Sequence, residues 1–234
     1  MIESLVGTKS DAFDLFEGTF PTENFILADA QANRNIVSIE LVHTRRFCTA
    51  FWFGHYKKAN ELYDLISSLP CHKLPKLWCL AGQCYRGIIS FQLYREGEGE
   101  EWFDEGTKIM KKFELLNKQS SKSFESKCYL LSAEFQASNC EVRNAKILFD
   151  ASINSANSYG SMNDLGLAYE CYGRYLSSIV ERKAALACFR SAHVCYLQWG
   201  AIALAEHVWN KYDLGNCNED SLRLNASHKH NRSW

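Results

Sequence analysis

Cysteine and histidine come together at four places in this chain, and each invites a metal ion or a nucleophile. The first is Cys71-His72, followed by Cys79 and Cys84. Structural zinc asks for cysteines spaced by two to four residues, with a second matched pair. Cys79 and Cys84 stand at i and i+5 on what reads as one continuous helix, which turns them away from each other. Core thiols are the preferred reading. The second and third places are His43 with Cys48 and His193 with Cys195. A cysteine nucleophile needs a histidine within reach and an acid to orient it. Residues two apart on a helix do not face each other, and five apart is little better. The fourth place is Cys217 with His228 and His230 in a polar tail, where solvated side chains are the simpler reading. Asn225-Ala226-Ser227 and Asn231-Arg232-Ser233 match the glycosylation acceptor pattern and are read as chance matches.

One charged pair stands out. Glu170 and Arg174 lie four apart in a helical segment, and an i,i+4 ion pair is expected there, worth about 0.2–0.5 kcal/mol. No catalytic, cofactor-binding or metal-ligating residue is assigned, and the chain is expected to be non-enzymatic with no cofactor. The large aromatics Tyr169, Tyr172, Trp199 and Trp209 form the candidate interaction surface, since such side chains anchor interfaces. Filling the core between repeats is the competing role for them, and the preferred one.

The elements that must carry these residues are helices. Hydrophobic residues make up 47% of the 234 positions and aromatics 13%, which excludes disorder over most of the length. The three prolines, Pro21, Pro70 and Pro75, all fall outside the apolar-periodic segments, and this favours long helices over a turn-rich β fold. The formal charge of −1 shows none of the basic excess of a nucleic-acid binder. No run of about 18 uncharged apolar residues exists, so no membrane span is expected. The start, Met1-Ile2-Glu3-Ser4-Leu5, lacks the pattern of a secretory signal, and a cytoplasmic protein with reduced thiols is expected.

Residues 1–23 read as irregular, 24–213 as a helical-repeat domain, and 214–234 as a disordered tail. Within the domain, Ile36 to Phe53 and Tyr56 to Leu69 read as one helix pair, with Gly54 between them as a C-cap. A second pair begins near Pro75 and returns through Trp102 to Leu116, where Gly106 weakens the helix by about 1 kcal/mol. A third and a fourth pair follow, and a last helix runs from Ile202 to Tyr212.

The later pairs repeat one another. Tyr129 and Ala133 recur as Tyr169 and Gly173. Ala145, Phe149, Tyr159 and Gly160 recur in the same register as Ala185, Phe189, Trp199 and Gly200. A period of about 40 residues is that of helix-pair repeats, whose units cannot bury an apolar face without stacking on neighbours. The fold expected is therefore all-α, an antiparallel helix-pair solenoid forming a tetratricopeptide-like superhelix.

The run Asp164-Leu165-Gly166-Leu167-Ala168-Tyr169-Glu170, then Gly173-Arg174-Tyr175, then Ala184-Ala185 through Phe189, Ala192 and Cys195-Tyr196-Leu197-Gln198-Trp199-Gly200-Ala201, resembles one known region. That region is the tetratricopeptide-like helical array at the C-terminal end of the large ATPase module in multi-sensor hybrid histidine kinases and related serine/threonine kinases. Gly54-His55-Tyr56 with Ala59, and Phe124 to Glu134, are similar to earlier units of the same array. The likeness spans roughly residues 35 to 213, and the Trp199-Gly200-Ala201 ending is its most specific part. It implies a protein-interaction and coupling scaffold whose partner is a protein, with a signalling ATPase or kinase first in line, and neither a nucleic acid nor a membrane. The chain departs from the family in carrying no G-x-x-x-x-G-K-[ST] phosphate loop, no kinase glycine-rich loop, no phosphoacceptor-histidine helix and no receiver acid cluster. The alternative is a fragment of an ATPase-linked histidine or serine/threonine kinase that acts only as part of the full polypeptide.

Overall fold

A computed structural model describes residues 21–69, 76–119 and 124–215. Among the described residues there are ten helices and no strand: α1 (Pro21–Ala32), α2 (Ile36–Trp52), α3 (Tyr56–Ser67), α4 (Lys76–Arg95), α5 (Glu101–Gln119), α6 (Glu125–Ser138), α7 (Val142–Tyr159), α8 (Met162–Ser178), α9 (Arg182–Trp199) and α10 (Ile202–Lys211). The protein is all-α. None of these helices is long and apolar enough to cross a membrane. Cys71, Cys217, His228 and His230, and most of the 1–23 and 214–234 segments, lie outside the described residues. Leu214, the first residue assigned to the tail by sequence, is buried in the core at 2% exposed.

Short turns join helices that pack along their length, so consecutive helices run antiparallel. The most extensive packing is α8 on α9, α6 on α7, α4 on α5 and α2 on α3. The first helices of successive pairs also touch: α2 meets α4, α4 meets α6, and α6 meets α8.

The turns share one backbone form. Gly54, Gly160 and Gly200 adopt positive φ, and so do Arg34, Cys140, Val180 and Asp213. At each the next residue's N–H reaches back five residues: Asn35 to Ala30, His55 to Ala50, Glu141 to Gln136, Ser161 to Ala156, Glu181 to Leu176, Ala201 to Tyr196 and Leu214 to Trp209. This is the Schellman closure, which satisfies carbonyls that a helix end would otherwise orphan. Glycine adopts the left-handed form at no cost. Val180, β-branched at φ +66°, adopts it under strain.

The 40-residue register is visible in the core. α7 and α9 are both 18 residues long and both end on a left-handed glycine, Gly160 or Gly200. Ala145 and Ala185 are almost wholly buried, as are Phe149 and Phe189. Phe149 stacks on Tyr172 of α8, with centroids 4.9 Å apart and planes 10° apart. Phe189 stacks on Tyr212 just after α10 at 3.5 Å and 6°. Tyr172 and Tyr212 are themselves 40 residues apart, so the stack between pairs is part of the repeat. Gly173 lets this packing close, because a Cβ there would fall 2.6 Å from the Phe189 ring. Gly106, expected only to weaken its helix, has the same use against Phe91, whose ring would lie 2.8 Å from an added Cβ.

One set of contacts departs from a simple array, in which each repeat touches only its neighbours. Trp52, at the end of α2, meets Tyr196 of α9 edge-on at 5.8 Å and Trp199 at 5.5 Å. Phe53 meets His207 of α10 at 5.0 Å. The first described pairs and the last are joined through the core.

Candidate functional site

The repeat register carries charge as well as apolar packing. Arg95 ends α4, Glu134 lies 39 residues on in α6, and Arg174 a further 40 on in α8. These three helices are neighbours, and the three side chains form a polar ladder across them. Arg95 Nη2 donates to Glu134 Oε2 at 2.5 Å and to Gln92 at 3.0 Å, while Nη1 donates to Glu134 O and Ser138 Oγ. The Glu134 side chain is 1% exposed and meets Arg95 through Oε2, while its Oε1 is buried without a hydrogen bond. The Cys171 thiol sits between this pair and Arg174. Its pKa is pushed well up by burial and by the Glu134 and Glu170 carboxylates.

Arg174 sits differently. Its Nη2 donates to Cys171 Sγ at 3.1 Å and its Nη1 to the Tyr56 hydroxyl at the start of α3. The guanidinium lies 5.3 Å from the Tyr56 ring centroid. Its Nε is buried with no acceptor. The ion pair with Glu170 expected from their spacing does not form. Glu170 instead accepts from Tyr196 at 2.9 Å and from Tyr212 at 3.2 Å, so tyrosines from two following elements occupy both of its oxygens. Helical spacing brings two side chains to one face, but here tertiary neighbours take both of them.

Beside Arg174 opens a cleft of about 570 Å³. Tyr56, Lys57 and Lys58 from the first turn of α3 form one side, and Arg174, Lys211 and Tyr212 the other. Gln92 of α4 and Glu96 just after it complete the rim. The Lys211 ammonium rests against the α2–α3 turn, where a Cβ on Gly54 would lie 2.9 Å from Nζ. More than a third of the Lys211 residue remains exposed, yet its pKa is lowered, first by burial of the ammonium and then by Arg174, against the pull of Glu170. Crowded cations lower the neighbouring histidines too. His207 falls to about 4 through burial, Lys211 and His55, and His55 falls through burial and Lys211, so both are neutral at pH 7. Among the described residues, no carboxylate lies within 4.0 Å of Arg174 or Lys211.

The four aromatic candidates differ in burial. Tyr169 and Tyr172 are partly buried against the core, Tyr172 in its stack with Phe149. Trp199 is partly buried against Trp52. Trp209 remains 41% exposed, with its ring 5.0 Å from that of His193. Cys84 and Cys195 are buried, and burial pushes the Cys48 and Cys84 thiols up to about 12, which leaves no thiolate near neutral pH. Among the described residues no group of three His, Cys, Asp or Glu side chains could hold a metal ion. The ladder and the cleft were missed from sequence, although the spacing of Arg95, Glu134 and Arg174 continues the same 40-residue register.

Comparison with family models, with curated proteins and with solved structures finds no match to this chain.

Proposed function

We propose that this chain is a non-enzymatic helical-repeat scaffold of the tetratricopeptide-like kind, mediating protein–protein contact or coupling in a cytoplasmic signal-transduction ATPase or kinase system. One observation carries the reading: the unit α6–α7 is repeated 40 residues later as α8–α9, whose second helices have the same length, the same glycine end and the same aromatic stack. Units of this design exist to be stacked, and stacked arrays present extended surfaces to partners. Ile147, Val194, Leu197 and Trp209 remain 41–56% exposed and supply apolar area for such contact. The link to signalling ATPases and kinases rests on the sequence resemblance.

The purified chain is expected to show neither ATP hydrolysis nor phosphotransfer, and either activity at a measurable rate would overturn the reading. The expected positive result is specific capture of a signalling ATPase or kinase, weakened by Trp209→Ser with the melting temperature unchanged.

A further inference from the structure

We propose that the cleft between the first turn of α3 and the α8–α10 wall binds a small phosphomonoester, with Arg174 and Lys211 on the phosphate. The site goes beyond the scaffold role, and its failure would leave that role standing.

Four observations converge. The first is uncompensated charge. Lys57 is paired with Glu98 and Lys58 with Glu61, both at 2.8 Å, but Arg174 and Lys211 have no carboxylate within 4.0 Å among the described residues. Glu170 draws the Lys211 ammonium from a distance but makes its hydrogen bonds to the hydroxyls of Tyr196 and Tyr212, so neither cation is in direct contact with it. Two neighbouring cations that meet no carboxylate repel each other, and an anion between them would relieve that repulsion.

The second is aim. Tyr56 and Cys171 fix the two Nη groups of Arg174, which lines the cleft, and its Nε is closed off from solvent, so the Nη edge is the part a ligand could reach. A guanidinium held by two partners has lost its rotamer freedom before a ligand arrives, which is preorganisation.

The third is the α3 N-terminus. Tyr56, Lys57 and Lys58 open a 12-residue helix, so their amides have no intrahelical acceptor, and His55 makes no side-chain cap bond. All three residues line the same cleft as Arg174 and Lys211. Helix-end amides add a third positive element to two side-chain cations. Three such elements suit a dianion, whereas a carboxylate would neutralise only one charge.

The fourth is size. About 570 Å³ exceeds what inorganic phosphate fills and falls in the range of small-molecule sites, roughly 300–1,000 Å³. The Tyr212 ring supplies an apolar wall for the organic part of the ligand. Glu96, which accepts from Gln92 at 2.8 Å, sets the acidic edge of the rim.

Phenyl phosphate is the probe, titrated into the full chain by calorimetry and by amide NMR at constant ionic strength. One-to-one binding is expected, with the largest amide shifts at Gly54, Lys57 and Lys58. At about one hundred times its dissociation constant the ligand should raise the melting temperature by roughly 5–11 °C. Lys211→Met should weaken binding at least about tenfold, as loss of a charge-assisted contact does. Arg174→Gln should do the same; if that variant fails to fold, the partly exposed Lys211 decides alone. Absence of binding to the wild type, unchanged affinity in Lys211→Met, or phenylacetate binding as tightly as phenyl phosphate would each overturn the proposal.

Discussion

The units α6–α7 and α8–α9 are the same object at the level of apolar packing and different objects at the level of charge. Ala145 and Ala185 sit at equivalent buried points, Phe149 and Phe189 stack on equivalent tyrosines, and Gly160 and Gly200 close equivalent helices. At the next shared position the sign reverses: Glu134 in one unit, Arg174 in the other. Glu134 is met by the Arg95 fork from the preceding pair. Arg174 meets a tyrosine and a thiol, and its charge is left for something else. The apolar register decides which helices stack, and it leaves one polar position free to decide what each seam holds. A seam whose cation meets its carboxylate within the chain contributes rigidity, although Glu134 Oε1 is buried there without a hydrogen bond. A seam whose cation meets no carboxylate is the one proposed to take a ligand.

The sharpest way to break this contrast is at the paired seam. Arg95→Met strands the Glu134 carboxylate in the core and should cost about 3–5 kcal/mol by denaturant unfolding; a loss below about 1 kcal/mol would mean that the two seams do not differ as described. Next in size is Tyr196→Phe. It keeps the ring against Trp52 but removes one of the two hydroxyls on Glu170, and a hydrogen bond to a charged group is worth about 1.5–3 kcal/mol. Ala145→Phe and Ala185→Phe test the shared part. Each should lose about 1–3 kcal/mol through overpacking, and by similar amounts, because the two sites are equivalent. An unchanged melting point in Ala185→Phe would sink that equivalence. The smallest effect runs the other way: Val180→Gly should gain about 1 kcal/mol by relieving a β-branched residue at φ +66°, read as a rise in melting temperature of roughly 2–4 °C.

Much of this fold was legible in the sequence because helices declare themselves locally. The apolar spacing of Ile36 to Phe53 marks a buried helix, and Gly54, Gly160 and Gly200 mark ends, through physics that acts within one turn of chain. The 40-residue period was legible for a second reason: a small residue facing an aromatic one is a constraint two units must satisfy alike. What stayed hidden is what depends on neighbours far along the chain. Glu170 and Arg174 share a helix face, yet Tyr196, Tyr212 and Tyr56 decide their bonds. The core role preferred for Tyr169, Tyr172 and Trp199 was legible, but not their partners, such as Phe149 and Trp52, which spacing alone does not name. The cleft could be found only once the first turn of α3 was known to meet Arg174 and Lys211.

The meeting of Trp52 and Phe53 with Tyr196, Trp199 and His207 has a consequence for how the chain is made. Their partners are synthesised about 150 residues later, which at ribosomal speed is roughly 7–30 s. Through that interval Trp52 has only Phe51 and Tyr85 among its ring partners, and Phe53 waits for His207. The early helices can pair as they emerge, but this seal forms last, and the nascent protein is most exposed to chaperones and to aggregation just before α9 and α10 arrive.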